Sequence, residues 1–268
     1  MQFSGLWSVI LGGSSGFGLA TVEKLASQGM NIALLYRETS GLEKQLKQHL
    51  SLLAEKNEVT ILPFNINALE KDGRDLFLRE FKKVNGQKKS VRLLLHSIAR
   101  GNLKPLLSDN KSADQVEEIL SSEDLQLTTY AMSHSLLEWA RLILKEDLFC
   151  EDGRIIGLTS EGAHKYWEGY AAVSLAKSSL ESLAKYMAVE FAKYGLKTNI
   201  IQAGISETPS FHRISGSKKL IEITKERNPF GRITLPSDIA NVIYLLCLNE
   251  AVWINGALIH VDGGEHCR

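Results

Sequence analysis

Leu11-Gly12-Gly13-Ser14-Ser15-Gly16-Phe17-Gly18, followed by Leu19-Ala20-Thr21-Val22-Glu23-Lys24-Leu25-Ala26, decides how this chain folds. The apolar run Trp7-Ser8-Val9-Ile10-Leu11 before it reads as a strand. The stretch from Leu19 to Ala26 reads as a helix ending near Gly29, and Asn31-Ile32-Ala33-Leu34-Leu35-Tyr36 reads as a second strand. Strand, glycine turn, helix and strand make a βαβ unit. Glycines let the backbone approach a pyrophosphate closely, and the helix N-terminus offers unpaired N–H groups with a partial positive charge. A glycine loop alone reads equally as a plain turn; its position at the start of a βαβ unit favours nucleotide binding. The spacing is G-x-x-x-G-x-G rather than the G-x-G-x-x-G of ordinary dehydrogenases.

Strands and helices keep alternating downstream, without an internal repeat. Val59 to Phe64, Val91 to His96, Arg154 to Thr159, Lys197 to Gln202 and Leu258 to Val261 read as strands three to seven. Continuous apolar strands of this kind are buried on both faces, as in parallel sheets. Amphipathic helices are expected between them, including Asp124 to Leu144 and Ala171 to Ala192. The expected class is α/β: a Rossmann-like doubly wound parallel sheet of about seven strands with helices on both faces. Ligands in such sheets bind outside the carboxyl ends of the strands, where the motifs fall.

With 268 residues, 44% of them hydrophobic, and no linker or charge block, residues 1–268 read as a single dinucleotide-binding and catalytic domain. Lys plus Arg and Asp plus Glu both number 31, so charge gives no reason to expect nucleic acid or an anionic membrane as partner. The first strand starts within ten residues with no leader pattern, and Val242 to Leu248 is far short of the ~20 residues that span a bilayer, so a cytoplasmic location is expected. Cys150, Cys247 and Cys267 lack C-x-x-C spacing and read as reduced thiols. His260, His266 and Cys267 are close in sequence, but no metal site is expected.

Tyr170 and Lys177 bracket the run Tyr170-Ala171-Ala172-Val173-Ser174-Leu175-Ala176-Lys177. Seven positions along a helix is about two turns, ~10 Å, and returns to nearly the same face, so both side chains can look into one cleft. A lysine ammonium near a phenol is expected to lower its pKa and to hold a ribose hydroxyl, making the tyrosine a usable acid. Without the upstream glycine loop, the pair would read as a core edge and a solvated tip.

Together these landmarks resemble the short-chain dehydrogenase/reductase family over essentially the whole chain. They are Gly12-x-x-x-Gly16-x-Gly18, Leu94-Leu95-His96-Ser97-Ile98-Ala99, the Tyr170–Lys177 pair and Val261-Asp262-Gly263-Gly264. Most ketone and alcohol enzymes of the family carry Tyr-x-x-x-Lys, where this chain has Ser174. The six-residue gap, His96-Ser97-Ile98-Ala99 in place of Asn-Asn-Ala-Gly, and Leu127-Thr128-Thr129-Tyr130, where alcohol enzymes place an asparagine, resemble the enoyl-acyl carrier protein reductases. The resemblance implies reduction of the trans-2 double bond of an enoyl thioester in fatty-acid biosynthesis. Tyr170 would meet the enolate oxygen and Lys177 the nicotinamide ribose. A matching rationale exists for the spacing: hydride delivered to the β-carbon leaves charge on an oxygen farther from the nicotinamide, and the acid moves with it. The alternatives are reduction of a 3-oxoacyl thioester or another carbonyl, and a non-catalytic NADPH-binding sensor.

The resemblance further assigns Gly12, Ser14, Ser15, Gly16, Phe17 and Gly18 to the cofactor, with Asn65 and Ile66, Ser97, Ile98 and Ala99, and Gly204, Ile205, Ser206 and Thr208. Arg37 at the end of strand two favours NADPH over NADH, although Glu38 adjoins it and an exposed arginine without a ligand is the plain alternative. Ser160 stands where many enoyl reductases place a second tyrosine, either as a substrate hydrogen bond or as a strand-end cap. Gly101, Tyr166 and Phe211 are assigned to the substrate, Tyr166 with ordinary packing as its alternative. Leu11 replaces the family's threonine and Ile205 its proline. Ile205 to Arg227 reads as a mobile flap over an acyl chain. Its Arg213, Lys218, Lys219, Lys225 and Arg227 suit docking of an acidic acyl carrier protein or form a solvated helix face. Homotetramers held by the fourth and fifth helices are usual in the family.

Overall fold

In the computed structural model, the residues described are 2–86, 88–107 and 119–268. Strands β1 (Trp7–Leu11), β2 (Asn31–Tyr36), β3 (Ile61–Asn65), β4 (Val91–His96), β5 (Phe149–Ser160), β6 (Lys197–Ala203) and β7 (Leu258–Val261) form one sheet in the order β3-β2-β1-β4-β5-β6-β7. Every neighbouring pair is parallel. The order reverses direction between β1 and β4, and a crevice opens there at the carboxyl ends.

The two-residue period of the strands sorts their side chains into two cores. Val9, Leu11, Ala33 and Leu35 point to one face and meet Phe77 and Phe81 of α3 (Lys71–Asn85), Trp139 of α5 (Ser135–Lys145) and Leu180 and Met187 of α6 (Ala171–Glu190). Ile10, Ile32 and Leu34 point to the other. They meet Val22 and Leu25 of α1 (Gly16–Ala26), Leu46 and Leu50 of α2 (Ser40–Asn57), and Ile239 and Ile243 of α8 (Pro236–Cys247). Trp139 is fully buried, with its indole N–H donating to Ala68 O at 2.8 Å. Each such large apolar side chain contributes about 1.5–3 kcal/mol by leaving water.

The boundaries differ from the expected ones where backbone geometry overrides pattern. Helix α1 starts at Gly16 rather than Leu19, so the glycine motif itself forms the first turn. Strand β3 runs from Ile61, and β5 reaches back to Phe149 through a bulge against β4. The helix expected over Asp124–Leu144 is α4 (Ser122–Thr129) continued through a π turn (Tyr130–His134) into α5. No helix among the described residues is long and apolar enough to cross a membrane.

Candidate active site

At the crevice, the glycine loop shows why side chains are excluded. Gly12 has φ +84°, and a Cβ there would lie 2.6 Å from Ser97 O, just beyond β4. The N-terminus of α1 has no side-chain cap from Ser15 and no acidic residue in its first turn. Its orphan N–H groups therefore face the cleft as an anion cradle, which fits a dinucleotide pyrophosphate. Gly18 lies below the loop: a Cβ would meet Gly12 O at 2.2 Å, so Gly18 packs helix on loop instead of facing a ligand. Across the opening, a Cβ on Gly16 would be 3.0 Å from the Thr208 methyl, which places the segment after β6 directly over the loop.

One cleft of about 1380 Å³ gathers most of the expected residues. Gly12, Ser14, Ser15, Gly16, Phe17 and Arg37 line it with Ile66, Ser97, Ile98, Ala99 and Gly101. On the other side stand Ser160, Tyr166, Tyr170, Lys177, Gly204, Ile205, Ser206, Thr208 and Phe211. Besides Gly18, which does not line the cleft, two assignments change character. Asn65 does not line the cleft: its carboxamide accepts from Glu38 N at 3.0 Å and donates to Glu38 O and Glu43 Oε2, both at 2.9 Å. These bonds tie β3 to the turn after β2, and Ile66 alone of the pair lines the cleft. Ser206 lines the cleft while its hydroxyl is turned into the fold, donating to Thr234 O. Tyr166 is 88% exposed at the rim, whereas Phe211 is buried inside.

Tyr170 sits at the N-cap of α6 and Lys177 two turns along it. The Tyr170 hydroxyl is 3.5 Å from Ser160 Oγ, at the end of β5. Burial raises the phenol pKa, against a smaller lowering by Ser160. The expectation that Lys177 would lower it is therefore corrected: in this structure desolvation dominates and the phenol stays protonated. Lys177 is buried, and its ammonium donates back to Leu158 O at 2.7 Å. Desolvation lowers its pKa to about 8, partly opposed by Glu181 one turn on. Glu181 is itself fixed by Thr159 Oγ1 at 2.7 Å and by His164 Nε2 at 3.0 Å.

Several residues that sequence reasoning passed over shape this geometry. A Cβ on Gly162 would come within 2.5 Å of Tyr170 Cε1, so only glycine leaves room for the ring. His96 is buried and hydrogen-bonded through Nε2 to Ser135 Oγ at 2.8 Å, while its Nδ1 has no partner. Burial, aided by the nearby charge of Lys177, lowers its pKa to about 3, so the imidazole is neutral. Since Ser135 Oγ donates to Ala131 O at 2.9 Å, His96 must carry its proton on Nε2. The π turn holds Met132 against Gly101, and Tyr130 points away from the cleft toward Leu69 O and Glu138. Further round the wall, Arg227 bridges Glu161 and Glu265. Glu161 directly follows Ser160, but nothing in the sequence pairs it with an arginine 66 positions away.

Ligand atoms of His260, Asp262 and His266 lie within 4.8 Å of one another. The Asp262 carboxylate there already accepts from Gly264 N, His266 N and His266 Nδ1.

A family model described as "Enoyl-(Acyl carrier protein) reductase" matches residues 12–266. The NADH-dependent enoyl-[acyl-carrier-protein] reductase of Aquifex aeolicus is 36% identical over 115 residues, 43% of each chain. A tropinone reductase homologue of Arabidopsis thaliana is 27% identical over 98% of this chain and 94% of its own. The crystal structure of the Aquifex aeolicus enoyl reductase superposes with a TM-score of 0.81 at 24% identity, covering 100% of this chain and 99% of that one. The chain belongs to the short-chain dehydrogenase/reductase family, in the group that resembles the enoyl-acyl carrier protein reductases, and is an oxidoreductase of Rossmann-like fold.

Proposed function

We propose that the protein reduces the trans-2 double bond of an enoyl thioester with NADPH, the reductive step closing a fatty-acid elongation cycle in the cytosol. The carrying observation is the Tyr170 hydroxyl, kept protonated by burial, 3.5 Å from Ser160 Oγ and two helical turns from Lys177. Such a group is a hydrogen-bond donor waiting for an oxygen that becomes negative. The bound nicotinamide would supply the hydride. The first turn of α1 would hold the pyrophosphate, Lys177 a ribose hydroxyl, and Phe211 with Leu220 and Ile223 would cover the acyl chain.

The test follows NADPH oxidation with a trans-2-enoyl thioester and, in parallel, the matched 3-oxoacyl thioester, for the native chain and Tyr170→Phe. Oxidation with the enoyl substrate alone, lost by at least ~100-fold in the variant, is expected. Near-normal turnover in Tyr170→Phe with intact cofactor binding would sink the role given to the phenol. Carbonyl reduction is the second reading, favoured because similarity to the tropinone reductase homologue spans 98% of the chain. It predicts oxidation with the oxoacyl substrate alone. NADH also has an observation behind it: Ser14 Oγ donates to Glu38 Oε1 at 2.8 Å, which sets a carboxylate where a 2′-phosphate would be repelled.

For partners, exposed Arg213, Lys218 and Lys219 support docking of an acidic acyl carrier protein, with Lys225 beside Glu222 at 3.6 Å and Arg227 withdrawn into its ion pairs. On α6, Leu175, Tyr186 and Val189 are exposed at helical spacing, as is Leu127 on α4. These faces support a homotetramer; light scattering at the mass of one chain would remove that proposal.

A further inference from the structure

Helix α7 (Ser217–Arg227) forms one wall of the cleft and ends in an arginine fixed in an unusual way. Glu161, just past β5, and Glu265, just past β7, both contact the same nitrogen of Arg227, Nη2. Glu265 is almost completely buried, and Thr224 Oγ1, one turn back on α7, lies 3.4 Å from its Oε1. Glu265 Oε2 and Arg227 Nε are buried without partners. Nη1 is neither buried nor bonded among the described residues, and 24% of the Arg227 side chain remains accessible in a residue that lines the cleft.

An arginine that served only to pin α7 would need a single carboxylate. Two carboxylates on one nitrogen fix the guanidinium plane instead, and leave an oriented N–H pair on Nη1. Its neighbours on the wall, Leu220 and Ile223, are apolar. Charge around it is balanced: Glu161 and Glu265 face Arg227 and Lys165, whose ammonium is 2.6 Å from Glu161 Oε1. The cluster therefore does not attract a second anion. A purely hydrocarbon ligand would strip water from Nη1 and leave it unpaired, which is costly. A neutral acceptor satisfies it.

We propose that Arg227, clamped by Glu161 and Glu265, is a specificity-determining residue whose Nη1 donates to an uncharged oxygen of the substrate, carbonyl or hydroxyl, remote from the carbon that takes hydride. The oxygen belongs to the acyl chain or to the amide-bearing arm that carries the thioester. This role rests on the proposed acyl-thioester substrate but not on which of its bonds is reduced, so binding alone tests it. Saturated thioesters, which cannot be reduced, are titrated calorimetrically into the protein with oxidised cofactor. One series compares plain acyl chains with chains of equal length carrying a hydroxyl or keto oxygen. The other compares N-acetylcysteamine thioesters with alkyl thioesters of equal length.

At least one oxygen-bearing series is expected to bind about tenfold or more tighter than its plain partner, the range for a hydrogen bond to a charged group. In Arg227→Lys, which can still reach a carboxylate but has no Nη1, that ratio is expected to fall toward one. Arg227→Met provides the same comparison without a cation. Equal affinities in both series for the native protein, no binding by any oxygen-bearing ligand, or a ratio unchanged in both variants would overturn the proposal. The last result would leave Arg227 as a latch for α7 and nothing more. Enoyl turnover, followed by NADPH oxidation, reads the proposed reaction separately.

Discussion

At the amino ends of β4, β5 and β6, Asp152 gathers Arg92, Arg154 and Lys197, and the two arginines extend to the last carbonyls of α8. Arg92 donates to Cys247 O at 3.0 and 2.8 Å, and Arg154 to Leu246 O at 2.8 Å. On the carboxyl side of the sheet, His96 Nδ1, Arg227 Nε and Glu265 Oε2 are buried without partners, and the Lys177 ammonium has one backbone acceptor. Both ends bury charge at a cost in solvation and pair part of it within the fold, but only the carboxyl end opens onto the cleft, which Lys177, Arg227 and Glu265 line. The amino end is a structural joint. The carboxyl end forms the wall of the cleft.

The largest expected effect lies at the joint. Asp152→Ala leaves two nearly inaccessible arginines and a lysine facing one another. Urea melts are expected to show a loss of about 3–5 kcal/mol, the range for breaking a buried ion pair. Burial raises the Asp152 pKa, but hydrogen bonds from Arg154 and Lys197 outweigh it and hold the carboxyl well below its ordinary value. A group with a depressed carboxyl pKa stabilises the fold above its unfolded pKa and loses that contribution as pH falls through the folded one. The native protein should therefore lose more stability than the variant on acidification below about pH 4. Parallel curves would mean the joint is ornamental.

At the carboxyl end the expected loss is in turnover. Gly162→Val drives a side chain into the Tyr170 ring, and displacement of a reacting group by about 1 Å costs on the order of 100-fold in kcat. Matched thermal melts and turnover check the comparison: a large fall in Tm with kcat preserved would place Gly162 with the joint rather than the site.

Lys177 gives a pH test with the opposite sign to Asp152. Its folded pKa of about 8 lies below the ordinary lysine value of 10.5, so the unfolded chain binds the proton more tightly. From this group alone, stability rises with pH between those values. Cofactor affinity should run the other way, falling as pH rises through about 8 and the ammonium is lost. Glu181 raises the Lys177 pKa, so Glu181→Gln is expected to move the fall in kcat/KM for cofactor to lower pH. An unmoved limb in the variant would show that another group controls it. His96, neutral down to about pH 3, should contribute no limb between pH 5 and 8.

This contrast also marks what can be read from the chain. The seven strands, the glycine loop and the Tyr170–Lys177 pair are local patterns, legible because hydrophobic runs and fixed spacings survive in one dimension. Asp152, Arg92 and Lys197 belong to three different strands that a sequence does not align, and Arg92 stands at a bulge in the register of β4 that no periodicity signals. The direction of the Tyr170 pKa shift escapes the sequence because spacing gives the distance to a lysine but not the depth of burial. Asn65 shows a related gap: the residue type can bind adenine, but that Glu38 and Glu43 also hold its carboxamide is not written in any local pattern.

The smallest effect expected is at Ser14, on the boundary between stability and function. Its hydroxyl donates to Glu38 Oε1 across the turn that separates β1 from the end of β2, in a partly accessible site. Ser14→Ala removes one hydrogen bond, worth about 0.5–1.5 kcal/mol at most, and the melt should barely move. The carboxylate, however, loses its tether beside Arg37, and its repulsion of a 2′-phosphate should weaken as it swings toward solvent. The ratio of kcat/KM for NADPH to that for NADH is therefore expected to rise a few-fold. If the ratio stays fixed while Glu38→Gln raises it, the charge matters and its tether does not. If neither variant moves it, Ser14 and Glu38 are bonded to each other for the loop's sake, and this corner of the carboxyl end follows the amino end's rule.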